Sequence, residues 1–268
     1  AAIYSTFLQR AADQIIHDVA LQKLPVVFAI DRAGFVPGDG ETHQGLFDIS
    51  LLRAIPNISL LAPASCEELR LMLDWALRQD TPCAIRYPKA LSPPASRSIA
   101  ETPLETGRGV FMGTLALSEA ETTDYSNTEK AGILVAFTGG LYPSVSRAAR
   151  LLHEKGIKAG FYNLRFLKPI DEDYLASLLN RYETVIFAEE GVKSGGFGEY
   201  AAELALRKNC SAAVFTLNAG ERHFAQGGRD ELLARCGLDG EGIAARVREI
   251  VEMKNKRGQT VQAVSQTA

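Results

Sequence analysis

A polar loop over positions 31–45 gathers residue types that suit acid–base and anion chemistry, with Arg32, Asp39 and His43 set among several glycines. Arginine offers a planar fork for phosphate or carboxylate, and histidine moves protons near neutral pH. Glycine lets the backbone approach a ligand closely. The loop is therefore either a substrate-binding loop or a solvated surface loop in which Arg32 and Asp39 pair with each other, and the spacing fits both interpretations.

The elements around this loop predict how it is held. The continuous apolar run Val26–Ile30 is typical of a central strand in a parallel sheet. Open α/β sheets bind ligands beyond the carboxyl ends of such strands, where this loop begins. Upstream, apolar residues at helical spacing predict one helix over 6–21 with Ser5 as its N-cap. Downstream we expect a strand over 58–62, a helix opened by a Ser65–Glu68 capping box, and a strand over 83–87.

The rest of the chain predicts a second domain. Prolines and small polar residues over 93–131 indicate a linker and a hairpin, with a surface excursion over 118–130. Strand and helix patterns then alternate over 132–255, and 256–268 is a polar tail. The first predicted domain, 1–92, begins with what looks like half a strand and contains only about three predicted strands. The predicted fold class is α/β with two doubly wound domains, the first truncated at its N-terminus.

Composition excludes several classes of protein. The chain has 268 residues, of which 46% are hydrophobic and 23% charged, as in globular proteins. Because 29 basic residues face 32 acidic ones, no general attraction to nucleic acid or to an anionic membrane is expected. No membrane-spanning stretch or signal peptide is visible, which predicts a soluble, cytoplasmic protein. Four scattered cysteines without a C-x-x-C pair predict no zinc site and no disulfide framework.

Ordered motifs along nearly the whole chain resemble one enzyme family. The first half contains Tyr4-Ser5-Thr6-Phe7-Leu8-Gln9-Arg10-Ala11, Asp31-Arg32-Ala33-Gly34, Asp39-Gly40-x-Thr42-His43-x-Gly45 and Arg86-Tyr87-Pro88. The second half contains Asn163-x-Arg165-Phe166-x-Lys168-Pro169-x-Asp171, Glu189-Glu190-Gly191 and Gly195-Gly196-Phe197-Gly198. In order and spacing the set resembles the 1-deoxy-D-xylulose-5-phosphate synthases, which are thiamine-diphosphate enzymes of the transketolase superfamily.

The resemblance implies roles for residues of the first domain. Phe7 would pack on the aminopyrimidine ring of the cofactor, with Tyr4 beside it, because a flat apolar ring suits a flat heterocycle. His43 and Asp39 would be the catalytic residues. The residues implied to bind substrate are Tyr4, Arg10, Arg32, Asp39, His43 and Lys89. Lys89 stands where the family has an arginine, so it keeps the charge and loses the bidentate fork.

The same resemblance implies an activity for the whole enzyme. Pyruvate would condense with D-glyceraldehyde 3-phosphate to give 1-deoxy-D-xylulose 5-phosphate and CO2, a step that serves isoprenoid and thiamine biosynthesis. Thiamine diphosphate and Mg2+ are the implied cofactors, with the metal and the pyrophosphate held by an N-terminal domain outside this sequence. No metal ligand is therefore expected in this chain, and Gly38-Asp39-Gly40 is interpreted as part of the substrate loop. We expect a homodimer, and a chain that is inactive alone.

Three other interpretations fit parts of the sequence. The chain could be the smaller subunit of a split transketolase that works with a separate N-terminal partner, or a non-catalytic oligomerisation fragment. Gly196-x-Gly198-x-x-Ala201 follows a predicted strand and opens a helix, as a dinucleotide-binding fingerprint does. The next strand, however, ends at Asn218 without the acidic residue that would hold a ribose. We therefore favour a tight turn that lets this helix pack closely on the sheet.

Overall fold

The computed structural model describes residues 1–94, 96–112 and 131–266, and these residues form two five-stranded sheets. The predicted surface excursion over 118–130 lies outside the described residues. In the first sheet, four parallel strands stand in the order β1-β2-β4-β3. They are β1 (Ala2–Tyr4), β2 (Val27–Asp31), β3 (Ser59–Leu61) and β4 (Cys83–Arg86). The three strands predicted in this half are thus present.

The predicted helix over 6–21 is not one regular helix. Its start, α1 (Ser5–Leu8), passes into a 3-10 turn over Gln9–Ala11 and then a π-helical stretch over Gln14–Ala20. The prediction that Ser5 is the N-cap was wrong, since Ser5 already lies inside the helix. Its hydroxyl donates to the buried Asp48 carboxylate, 3.1 Å away, instead of capping the helix.

Two further helices flank the first sheet. The structure adds α2 (Asp48–Ala54), which the sequence analysis did not predict, and confirms α3 (Cys66–Ala76). Ser65 caps α3 by accepting a hydrogen bond from the Glu68 amide at 3.2 Å. The second half of the predicted capping box is absent, because the Glu68 carboxylate accepts from the Ala64 amide and from the buried Arg165.

The second sheet has the order β10-β9-β6-β7-β5 among the described strands. It starts after the short helix α4 (Arg97–Glu101), which lies in the predicted linker. The strands are β5 (Val110–Phe111), β6 (Ala131–Phe137), β7 (Gly160–Asn163), β9 (Tyr182–Ala188) and β10 (Ala213–Leu217), with β5 alone antiparallel. The helices are α5 (Tyr142–Glu154), α6 (Glu172–Arg181), α7 (Phe197–Arg207), α8 (Arg229–Arg235) and α9 (Gly240–Gln266). The predicted alternation is confirmed, and α8 is an addition.

The two halves of the chain are joined by a strand that the sequence analysis missed. β8 (Phe166–Lys168) belongs to the second half but pairs antiparallel with β3, as the fifth strand of the first sheet. One apolar core cluster likewise contains Ile30 and Leu60 of the first sheet together with Leu134 and Phe187 of the second. In the described part of the chain, no helix has the length and apolar character that crossing a membrane requires.

Candidate functional site

Parallel strand order brings three chemistry-bearing segments to one edge of the first sheet. Tyr4 at the end of β1 is in register with Asp31 at the end of β2, and Arg86 ends the next strand, β4. The segments that follow these strands therefore emerge side by side at the carboxyl edge, where open α/β sheets bind ligands. The loop over 31–45 follows β2, and Lys89 follows β4.

An aromatic cluster lies at this edge and consists of Tyr4, Phe7 and His43. The ring centroid of Tyr4 is 5.1 Å from that of Phe7 and 5.8 Å from that of His43. Phe7 and His43 meet edge to face at 5.7 Å. Phe7 remains 37% exposed, although apolar rings of this size are usually buried. The cluster thus presents an accessible flat ring beside an imidazole.

Charged groups surround the aromatic cluster. The Arg10 guanidinium carbon lies 5.2 Å from the Phe7 ring centroid, and that of Arg32 lies 4.5 Å from the Tyr4 ring centroid. Arg32 also pairs with Asp31. The Tyr4 hydroxyl donates to the Asp39 carboxylate at 3.1 Å. The structure therefore brings Tyr4, Arg10, Arg32 and Asp39 together, and the alternative in which Arg32 pairs with Asp39 was wrong.

The surroundings of Tyr4 change the pKa of its hydroxyl. Burial raises the pKa of the Tyr4 hydroxyl, and the hydrogen bond to Asp39 raises it further. The nearby Arg32 guanidinium lowers this pKa in opposition. Because the hydroxyl stays protonated, it is a hydrogen-bond donor at neutral pH and holds Asp39 beside the rings.

His43 is held by its neighbours in the loop. Its Nδ1 and the Thr42 hydroxyl are hydrogen-bonded at 2.8 Å. The Thr42 carbonyl accepts from the Thr6 hydroxyl at 2.7 Å, which ties the loop to α1, where Phe7 lies. With Nδ1 engaged in this way, the other ring nitrogen, Nε2, is available for a ligand.

The loop is closed at its base and open at its tip. Gly34 and Gly45 exchange two backbone hydrogen bonds of 2.7 and 2.8 Å. Added side-chain carbons at Gly38 and Gly40 would meet no atom within 4 Å, and both glycines have positive φ, of 88° and 78°. The tip that carries Asp39 is therefore exposed, while the base of the loop is fixed.

Lys89 makes no described contact with the aromatic cluster. It is exposed, three positions beyond Arg86, and among the described residues it has no hydrogen-bond or ion-pair partner. Its proposed phosphate role therefore stays a prediction, whereas the other candidate residues are already in mutual contact.

Charged residues that the sequence analysis did not assign lie beneath the site. The buried Arg86 donates to the Asp48 carboxylate at 3.0 Å and to the Glu190 carbonyl at 2.9 Å. Both Arg86 and Asp48 are almost fully inaccessible to solvent. The motif Arg86-Tyr87-Pro88 marked Arg86 as a residue of interest in the sequence. Its burial could not be predicted, because it depends on packing against Glu190, about a hundred residues away.

The second glycine motif is a packing turn. Side-chain carbons added at Gly196 and Gly198 would collide with the Glu189 carboxylate and with Thr216, respectively. Glu189 accepts hydrogen bonds from the Phe197 and Gly198 amides at the start of α7, at 2.8 and 2.9 Å. Burial raises the pKa of Glu189. The helix end that would hold a dinucleotide pyrophosphate is therefore filled by a carboxylate of this chain.

Two family models match the chain. The model described as the transketolase pyrimidine-binding domain matches residues 1–94, and the model described as the transketolase C-terminal domain matches residues 125–243. Together they span most of the sequence, and their boundary falls in the predicted linker.

Curated relatives include 1-deoxy-D-xylulose-5-phosphate synthases. The chain is 50% identical to that of Treponema pallidum over 245 residues, covering 91% of this chain and 37% of the relative. It is 41% identical to that of Aquifex aeolicus over 253 residues, covering 94% of this chain and 38% of the relative. The chain thus spans little more than a third of the length of these relatives.

A solved structure shows the same fold. It is described as a split gene transketolase in the form of an inactive beta4 tetramer, and it superposes with a TM-score of 0.74 at 25% identity. The match covers 93% of this chain and 75% of that one. The chain therefore belongs to the transketolase superfamily, of which it carries a pyrimidine-binding domain and a C-terminal domain.

Proposed function

We propose that this chain forms the pyrimidine-binding and C-terminal parts of a 1-deoxy-D-xylulose-5-phosphate synthase. Such an enzyme condenses pyruvate with D-glyceraldehyde 3-phosphate and releases CO2. The observation that carries the proposal is the exposed Phe7 ring, which lies against Tyr4 and His43 at the carboxyl edge of the first sheet. The identity to synthases of this name supports the choice of reaction within the superfamily.

The residues present fit an aminopyrimidine ring. Phe7 offers an accessible apolar face, and Tyr4 lies next to it, so these two side chains would hold the heterocycle. When bound, thiamine diphosphate supplies the carbanion chemistry, while the protein supplies position and charge. His43 would donate a hydrogen bond or a proton to substrate carbonyl and hydroxyl oxygens through Nε2. Asp39, held by the Tyr4 hydroxyl, would accept hydrogen bonds from substrate hydroxyls.

Basic side chains at the same edge would bind the anionic parts of the substrates. Arg10 and Arg32 lie over the rings of Phe7 and Tyr4, so their guanidinium groups are next to the proposed ligand.

We propose that the exposed Lys89 side chain binds the phosphate of the aldehyde substrate. The variant Lys89→Ala should raise the KM for the phosphorylated aldehyde several-fold more than the KM for pyruvate. Lys155→Ala, an exposed lysine after α5, is the control, and equal effects on both KM values would contradict the phosphate role.

The proposed enzyme requires parts that this chain does not supply. Mg2+ and the cofactor's pyrophosphate would be held by an N-terminal domain, and two copies would form a homodimer. We propose a cytoplasmic enzyme in isoprenoid and thiamine biosynthesis, with domains over 1–92 and 132–255. On this proposal the chain alone is inactive, because Phe7, Tyr4 and His43 can hold the ring but not the pyrophosphate.

Complementation with an N-terminal part tests the proposed function. The chain is mixed with the N-terminal segment of the Treponema pallidum relative, thiamine diphosphate and Mg2+, and CO2 release from pyruvate is measured with and without D-glyceraldehyde 3-phosphate. We expect aldehyde-dependent CO2 release and formation of the ketose phosphate. His43→Ala should abolish it, whereas His153→Ala, in the helix α5, should not. A mixture that forms a complex but releases no CO2 would contradict the proposal.

A second candidate is the smaller subunit of a split transketolase. The observation that favours it is the match to the split gene transketolase, of which this chain covers 75%. Such an enzyme would transfer a two-carbon unit from a ketose phosphate to an aldose without releasing CO2. In the same mixture, ketose-dependent transfer without any reaction of pyruvate would favour this candidate. A chain that assembles with the N-terminal part but supports neither reaction would instead be an oligomerisation fragment.

A further inference from the structure

Glu190, in the second half of the chain, contacts the base of the loop that carries Asp39 and His43. Its side chain is fully buried, and its Oε1 accepts a hydrogen bond from the Phe35 amide at 2.6 Å. Arg229, at the start of α8, pairs with both carboxylate oxygens, with Nη2 lying 2.7 Å from Oε2. The same guanidinium donates to the Phe35 carbonyl at 3.0 Å. One carboxylate and one guanidinium thus bind both backbone groups of Phe35.

The loop is shaped to admit this carboxylate. Gly34 has a φ of 80°, and a side-chain carbon added there would collide with the Glu190 carboxyl group. Glycine both adopts the left-handed conformation and leaves the space that Glu190 fills. Since Gly34 also pairs with Gly45, Glu190 holds the loop at the point where its two ends meet.

Two more contacts come from the segment that leads into α8. The Phe224 ring meets the Phe35 ring edge to face, with centroids 4.9 Å apart. The exposed Gln226 donates through Nε2 to the Gly38 carbonyl at 2.9 Å, next to Asp39. The C-terminal half therefore touches the loop at its base, at its side and near its tip. We call Glu190, Phe224, Gln226 and Arg229 the interdomain clasp.

We infer that the interdomain clasp positions the substrate loop, so that residues of the C-terminal half set the placement of Asp39 and His43 without touching the ligand. The inference rests on the proposed function in that it takes the loop to bind substrate. The clasp contacts themselves do not depend on that function. None of the clasp contacts described involves the Tyr4, Phe7 or His43 rings, so the clasp acts through the loop backbone and the Phe35 ring. Its members are positioning residues.

Amide hydrogen exchange of the isolated full chain tests the inference. Glu190→Gln keeps the shape of the side chain and removes its charge, and Gln226→Ala removes a single exposed hydrogen-bond donor. The matched control is Glu68→Gln, because Glu68 is as buried as Glu190, and its pair with Arg165 also links the two halves but has no described contact with the loop. Exchange is followed in peptides that cover residues 33–46 and, for comparison, in peptides from β6 and β9.

We expect Glu190→Gln to increase exchange about tenfold or more in the 33–46 peptides, while the β6 and β9 peptides stay protected. Gln226→Ala should show a smaller increase, confined to the tip of the loop. Glu68→Gln should leave the loop unchanged. Unchanged loop exchange in a folded Glu190→Gln chain would overturn the inference, as would equal increases in Glu190→Gln and Glu68→Gln. If Glu190→Gln does not fold, Gln226→Ala decides: normal exchange at the tip overturns the inference.

Kinetic measurements on the complemented enzyme distinguish this inference from the proposed function. In the complemented enzyme, Gln226→Ala should raise the KM for the aldehyde phosphate at least threefold and change the KM for the cofactor little, because the contacts to Phe7 are intact. Loop exchange, in contrast, is measured without any reaction. A loop that responds to Glu190→Gln, found together with a complemented enzyme that releases no CO2, would overturn the proposed function and support the clasp.

Discussion

At the scale of single residues, the sequence showed which side-chain types could form the site. It did not show which of these side chains contact each other. The motifs brought Tyr4, Phe7 and His43 to attention through family resemblance, and the structure places their rings within 6 Å of one another. The sequence could not show that Asp39 pairs with Tyr4, because the end of β1 and the tip of a loop more than thirty residues later must meet for that contact to form. Buried pairs such as Arg86 and Asp48 were missed for the same reason.

The contact between Tyr4 and Asp39 gives a prediction about pH. Because the Asp39 carboxylate is one of the groups that raise the pKa of Tyr4, Asp39→Asn should lower that pKa toward its ordinary value. Tyrosinate absorbance during an alkaline titration measures the change, and Tyr4→Phe identifies the signal that belongs to Tyr4. In the unsubstituted chain, Tyr4 should ionise later than exposed tyrosines. An unchanged Tyr4 titration in Asp39→Asn would show that the two side chains are not bonded in solution.

At the scale of elements, periodicity predicted the regular strands well. The strand predicted over 26–30 is present as β2 (Val27–Asp31), and the later alternation is present too, because buried parallel strands need continuous apolar runs. The strand β8 was missed because three residues that join a distant sheet carry no periodicity of their own. The helix over 6–21 was predicted as regular, yet Ser5 turns inward to Asp48 and the chain passes through 3-10 and π turns.

The base and the tip of the substrate loop should respond differently to substitution. Gly34→Ala introduces left-handed strain and a collision with Glu190, whereas Gly38→Ala introduces the strain alone. We expect a loss of roughly 1 kcal/mol in unfolding free energy for Gly38→Ala, from the strain. Gly34→Ala should lower the free energy of unfolding by at least about 2 kcal/mol more, because an added side chain in a packed interior forces its neighbours to shift. Urea denaturation measures both variants. Equal losses would show that Glu190 does not fill the space beside Gly34.

At the scale of the whole molecule, the two sheets are expected to fold as one unit. They share an apolar core, β8 crosses from one half to the other, and the buried Glu68–Arg165 pair links α3 to the second half. Arg165 also donates to the carbonyls of Ile99, Thr102 and Pro103, which fixes the predicted linker. The sequence predicted two domains, but it could not show that the boundary between them carries such contacts.

Removal of the Glu68 carboxylate tests this coupling. Glu68→Ala leaves the Arg165 guanidinium buried without its charged partner, which costs about 3–5 kcal/mol. Trp75, which packs on Phe166 of β8, reports the first sheet by fluorescence, and amide exchange in β6 and β9 reports the second. Both should lose stability together. Glu101→Ala, which breaks an exposed pair with Arg97, should cost less than about 1 kcal/mol. A loss confined to one sheet would contradict a single cooperative unit.

The proposed function depends most on the Phe7 ring as the surface that would receive the cofactor's heterocycle. Calorimetric titration of thiamine diphosphate, in the presence of Mg2+, into the chain complemented with the N-terminal segment tests this directly. Phe7→Ala should weaken binding about tenfold, because a stacking contact is lost. Phe47→Ala, which removes a comparably exposed ring that lies against His223 instead, should leave the affinity unchanged. Binding of Phe7→Ala as tight as that of the unsubstituted chain would contradict the account.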